Sequence, residues 1–168
     1  MIKVGKTVRR VAIGVAAGLA LTLAPAMTTP ASAAVTFRYL ANQQYGDYLT
    51  GSLNGTVTTE TYTGLGAQWW DFMNKGGGYY TLYNAHEPSK LLAEWLETWA
   101  VATRTANPTW AAHTEQWWVA YGPNGTIYIH NRGNNNCLTA KGRGNAVRAE
   151  PCRTGDRSQL WYQTSWTG

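Results

Sequence analysis

The sequence predicts an all-β domain of about twelve short strands, arranged as three similar units around one axis. Three observations carry this. A Gln-x-Trp triplet occurs three times, starting at Gln68, Gln116 and Gln159, with spacings of 48 and 43 residues. Gly, Thr, Asn, Trp and Tyr are common while Lys and Glu are scarce, a mixture that favours strands and turns over helices. Other residues keep register with each triplet, and a period of this size marks repeat architecture.

The first 33 residues read as an address that precedes the domain. Lys3, Lys6, Arg9 and Arg10 open it, and the apolar run "VAIGVAAGLALTLAP" (11–25) is too short to span a bilayer comfortably. "ASA" (31–33) then supplies a small-x-small cleavage pattern. The expectation is a signal peptide over 1–33, cut after Ala33 with Ala34 as the near alternative. The protein is then secreted, with no membrane insertion. Removing this leader changes the charge. The full chain carries +5, but four of its basic residues leave and no acids do, so the remainder carries +1. That removes most of the charge argument for a nucleic-acid partner. An asymmetry stays: from Asn131 onward the net charge is +4, against −3 before it. It reads as a solvated face, with an anionic partner as the alternative.

Residues 34–168 are one domain's worth of chain. The first unit (about 35–73) begins with "VTFRYLAN" (35–42), a strand ending in Asn. "YLT" (48–50), Val57, a polar loop and "AQWWDF" follow. In the second unit (about 74–121) the same order is "GYYTLYN" (78–84), "LLA" (91–93), Val101 and "EQWWVA". The third (about 122–168) gives "GTIYIHN" (125–131), "CLT" (137–139), Val147 and "SQLWYQTSW" (158–166). Asn-Gly at 54–55 and 124–125 supplies tight turns. Only "SKLLAEWLETWA" (89–100) has helix-like apolar spacing. The register places Leu92 beside Leu49 and Leu138, so two strands and a tight turn are expected there.

One such unit cannot bury its own apolar face, whereas three around an axis share an interior and leave few free edges. Trp70, Trp118 and Trp161 are the expected wedges of that core. Each contributes up to roughly 5 kcal/mol by burial. Gln68, Gln116 and Gln159 point the same way along their strands and are expected to pin a neighbouring loop through its backbone. Cys137 and Cys152, the two cysteines of a secreted chain, are expected to pair, closing a loop worth about 3 kcal/mol. Two cysteines and three scattered histidines do not make a metal site, and no cofactor is implied.

Three Q-x-W units, with Cys-Leu and a second Cys before the last triplet, resemble the ricin B-type lectin family, most nearly its small secreted bacterial members. "LTGSLNGTVTTETYTGLGAQWW" (49–70) follows the rhythm of that subgroup without a gap. The resemblance implies a β-trefoil with pseudo-threefold symmetry, carbohydrate binding, and a bridge between Cys137 and Cys152 within one unit. It also exposes departures. Sugar-binding members carry Asp after the Leu, where this chain has Thr50, Ala93 and Thr139. The Asn that often precedes the Gln is replaced by Ala67, Glu115 and Ser158.

A sugar needs an aromatic platform and a few placed polar groups. The first unit offers Thr50, Asn54 and Tyr62. The second offers Glu94, Trp95, Trp99 and Trp110, with Glu115 as a substitute carboxylate, and is the favoured pocket. The third offers Thr139 and Ser158. Burial in the core or in a protein contact is the ordinary fate of Trp95 and Trp99. No nucleophile stands in a recognisable elbow, and His86, His113 and His130 have no such partner, so no enzyme is expected. Glu94 and Glu97 lack a cleft of the kind glycosidases use. Two functions remain: a non-catalytic carbohydrate-binding domain with an altered sugar clamp, or a trefoil that has lost sugar and acts through contacts with a secreted or cell-surface protein.

Overall fold

The structure, a computed structural model, describes residues 36–95, 97–106 and 113–166, with Trp166 described by its backbone alone. The segment expected to be a signal peptide (1–33) and Trp110 lie outside these residues. Twelve strands and no α-helix are present among them. The first unit holds β1 (Phe37–Asn42), β2 (Tyr48–Gly51), β3 (Val57–Glu60) and β4 (Trp70–Gly76). The second holds β5 (Tyr79–Asn84), β6 (Lys90–Trp95), β7 (Ala100–Thr105) and β8 (Trp117–Tyr121). The third holds β9 (Thr126–Asn131), β10 (Cys137–Thr139), β11 (Arg148–Glu150) and β12 (Trp161–Trp166). A 3-10 turn ends just before the last strand of each unit, at Gly66–Gln68, His113–Glu115 and Arg157–Gln159.

Six strands close into a ring. β1 pairs with β12 and β4, β5 with β4 and β8, and β9 with β8 and β12, all antiparallel. Closure removes free edges from this layer. The other six form three hairpins, β2–β3, β6–β7 and β10–β11. These meet one another through Arg148 opposite Ala100 and the isolated bridges Thr56–Ala102 and Thr58–Ala146. The arrangement is a β-trefoil.

The core repeats three times. Leu40, Leu82 and Ile129 come from the first strands; Leu49, Leu92 and Leu138 from the second; Val57 and Val101 from the third, with Val147 just before β11. Each is at most 4% exposed. The stretch with helical spacing holds β6, the turn after it and the first residue of β7. Its apolar run is continuous because Leu91, Leu92, Ala93 and Glu94 are all buried, so both faces of this strand are covered and alternation disappears. The first unit boundary lies a little beyond residue 73: β4 runs on to Gly76, and the turn is made by Gly76, Gly77 and Gly78 at φ of 83°, 61° and 82°. Three successive left-handed residues are accessible there because none carries a Cβ. No helix among the described residues is long and apolar enough to cross a membrane.

Candidate functional site

Each unit anchors one fully buried indole by the same bond. Trp70 Nε1 donates to the Leu49 carbonyl at 3.0 Å, Trp117 Nε1 to Leu92 at 3.0 Å and Trp161 Nε1 to Leu138 at 2.9 Å. The second wedge is therefore Trp117, and the expectation of Trp118 is corrected. Trp118 is half-buried and stacks on His130, with ring centroids 3.9 Å apart. The glutamine register shifts with it. Gln68 and Gln159 are each 1% exposed, whereas the buried residue at their position in the second unit is Glu115. Gln116 is only half-buried and accepts from Arg132.

The two buried glutamines hold the loops that precede their 3-10 turns. Gln68 donates to Thr61 O and accepts from Thr63 N; Gln159 donates to Pro151 O and accepts from Arg153 N. They also donate to Thr50 and Thr139 Oγ1, at 3.2 and 3.1 Å. Thr50 and Thr139 are thus occupied in holding the scaffold. Glu115 lies in an ion pair with Arg104 at 2.8 Å, so it is no free carboxylate for a sugar clamp. The residue before it, at the place of Ala67 and Ser158, is Thr114. Ser158 is itself engaged, its hydroxyl donating to Asp156 at 2.6 Å.

A second set of polar residues escaped the sequence reading except as a register mark. Asn42, Asn84 and Asn131 end β1, β5 and β9 and are at most 3% exposed. Each donates across a unit boundary: Asn42 to Ser158 O at 2.8 Å, Asn84 to Ala67 O at 2.9 Å, Asn131 to Thr114 O at 2.9 Å. Each also accepts from a backbone N–H two residues on. The signal that would have found the shifted register is the spacing to this Asn: it lies 14 residues beyond both Trp70 and Trp117.

An open depression of about 500 Å³ lies on the first unit, lined by Thr50, Gly51, Ser52, Leu53, Asn54, Ala67 and His86. Gly51 lines it, and the space behind Gly51 is taken by buried side chains. A Cβ there would lie 2.9 Å from Asn84 Nδ2 and 3.3 Å from Trp70. The corresponding residue of the second unit is Glu94, 1% exposed, whose Oε1 accepts from Asn134 at 2.7 Å. Burial raises the pKa of this carboxyl. In the third unit the position is Ala140, also buried. The fold thus offers three equivalent places, and the residue after Thr50, Ala93 and Thr139 differs among them: Gly51, Glu94 and Ala140. A second depression, about 380 Å³, involves Phe37, Asp71, Met73 and Tyr83 on the ring of strands.

The remaining predicted residues are scattered. Asn54 is exposed and accepts from Ser52 and from Thr56 N. Tyr62 lies outside the depression, its ring 5.2 Å from Tyr39 and 4.9 Å from Tyr48. Trp95 and Trp99 are 54% and 43% exposed beside the β6–β7 turn, so of core burial and a protein contact the first is ruled out and the second stays open. The Arg104 guanidinium lies 5.6 Å from the Trp95 ring. The basic excess of the last third is partly spent internally, through Arg143–Asp47 and Lys141–Glu150 ion pairs. Cys137 and Cys152 form a disulfide, and no cysteine is free.

Fold and repeated motif together define a β-trefoil of three units, each wedged by one indole. Solved structures share it. The designed threefold-symmetric protein ThreeFoil matches with a TM-score of 0.67 and 20% identity, over 76% of this chain and 97% of that one. SeviL, in complex with an asialo-GM1 saccharide, matches at 0.62 and 20%, over 78% and 98%. An exo-β-1,3-galactanase from Clostridium thermocellum matches at 0.68 and 18%, over 77% of this chain but only 30% of its own. No protein-family model and no curated protein sequence matches the chain. The resemblance to ricin B-type trefoils therefore holds at the level of the fold.

Proposed function

We propose that this protein is a secreted, non-catalytic carbohydrate-binding domain whose sugar site is the depression of the first unit. The observation that carries this reading is the depression lined by Thr50, Asn54 and His86 beside Gly51. It combines apolar floor with a few exposed polar groups at its rim, the composition a sugar site needs. Two of the similar folds are named for saccharide chemistry, one as a complex with a glycan and one as a galactanase of which this chain spans under a third. Glu94, Glu115 and Asp47 are buried and bound to Asn134, Arg104 and Arg143, so none of these three carboxyls stands open to a substrate. The exposed indoles of Trp95 and Trp99 favour a second reading, contact with a secreted or cell-surface protein.

A glycan array distinguishes the two. The expected outcome is binding that falls about fivefold to tenfold in His86→Ala or Asn54→Ala, the worth of one or two hydrogen bonds, while the fold persists. Absence of binding to every glycan, with capture of a protein partner that is lost in Trp95→Ala, would replace the sugar reading with the protein-contact one.

A further inference from the structure

The disulfide occupies a position that another unit fills without one. Cys137 and Cys152 align with Tyr48 and Tyr62 of the first unit, whose rings pack 4.9 Å apart. In both units the loop is already held by the buried glutamine. Gln159 bonds Pro151 O and Arg153 N, on either side of Cys152, just as Gln68 bonds Thr61 O and Thr63 N around Tyr62. The disulfide therefore duplicates a restraint that Gln159 supplies.

Its two sulfurs are unequal. Cys137 is fully buried, while Cys152 lies exposed in the loop after β11. Beside them stands His130, paired with Cys137 in the β9–β10 ladder and 8% exposed. Its Nδ1 is 3.3 Å from Cys152 Sγ and 3.6 Å from Cys137 Sγ. The ring is fixed by stacking on Trp118 at 3.9 Å and 10°, with Nδ1 3.5 Å from the Asn135 carbonyl. Burial lowers the pKa of this imidazole, so it is a neutral ring with one N–H to donate. Histidine and both sulfurs lie within 4.8 Å of one another, but the sulfurs are bonded to each other and offer no metal ligand.

We propose that Cys137–Cys152 is a thiol–disulfide exchange site that accepts a small thiol at Cys152, with His130 as the donor to the departing sulfur. A thiolate attacks Sγ of the exposed residue Cys152, because Cys137 is closed to it. The new S–S bond forms as the old one breaks, and the electron pair passes to Cys137 Sγ. The proton shed by the attacking thiol goes to solvent, and the Cys137–His130 pair takes one up. The products are a mixed disulfide on Cys152 and a buried Cys137 thiol, with no external oxidant or reductant consumed. Trp118, displaced from the core by the one-residue shift of its triplet, acquires a role here as the plate that orients the imidazole. The proposal is independent of the sugar reading.

The test uses the oxidised full chain with reduced glutathione at neutral pH, without denaturant, quenched by alkylation and read by peptide mass. The expected result is one glutathionyl group on Cys152, an alkylated Cys137 and an unchanged β-sheet circular dichroism spectrum. His130→Phe keeps a flat ring on Trp118 and removes both nitrogens; it is expected to react at least about tenfold more slowly. His130→Gln, which returns an N–H donor, is expected to recover part of that rate, and it serves as the reporter if the Phe variant does not fold. Wild-type protein that reacts only in denaturant, a glutathionyl group on Cys137 in place of Cys152, or variants as fast as wild type would each overturn the proposal and leave a purely structural bridge.

Discussion

Trp117→Ala is expected to cost about 4 kcal/mol of stability, and Trp118→Ala about 1 kcal/mol, in urea unfolding followed by circular dichroism. The two residues are adjacent and chemically identical, so their environments alone set the difference. Trp117 is wholly buried, and its Nε1 satisfies the Leu92 carbonyl at 3.0 Å. Truncation removes a large apolar surface, leaves a cavity, and strands a buried carbonyl. Trp118 is half-buried and loses a stack on His130 and a 3.2 Å bond to Asn135 at the surface. Trp70→Ala and Trp161→Ala belong with Trp117, since they make the same bond to Leu49 and Leu138. Similar losses at 117 and 118, or the reverse order, would mean that the second wedge is misassigned.

Asn131→Ala is expected to cost about 3 kcal/mol by the same assay, because one side chain serves two backbone groups. Its amide donates to Thr114 O at 2.9 Å and its oxygen accepts from Gly133 N at 2.8 Å. Both partners belong to segments packed at a unit boundary, and water does not readily replace a bond to a fully buried residue. Asn42 and Asn84 do the same work at the other two boundaries, so Asn42→Ala and Asn84→Ala should lose comparable amounts. The aspartate variants should fare little better, since a carboxylate turns an acceptor toward the acceptor carbonyl. A loss confined to one of the three would show that the boundaries are not equivalent.

Much of this was legible in the sequence because apolar wedges and turn residues act locally. Leu49, Leu92 and Leu138, with Val57, Val101 and Val147, sit in the structure at the register read from sequence. The hairpin over 90–105 followed from that register despite its helix-like spacing. What failed was the frame of the second triplet. "EQWW" carries two tryptophans, and the glutamine offered a frame one residue late; Glu115 takes the buried position because Arg104 neutralises it, a partner that only the folded hairpin brings near. The candidate site was less legible. Thr50 and Asn54 were found, but His86 and Gly51 were not, because only the folded chain brings the segment after β5 beside β2. Glu94 suggested a sugar clamp from its chemistry; its burial against Asn134, forty residues away, is a tertiary fact.

The central claim is that three indoles, one per unit, close a common interior. Hydrogen exchange of the indole N–H protons, followed by NMR on the wild-type chain, tests it most directly. Those of Trp70, Trp117 and Trp161 should exchange only when the whole domain unfolds, while that of Trp118 exchanges far sooner, alongside Trp95 and Trp99. A protected Trp118 with a labile Trp117, or early exchange at any one of the three wedges, would contradict the account.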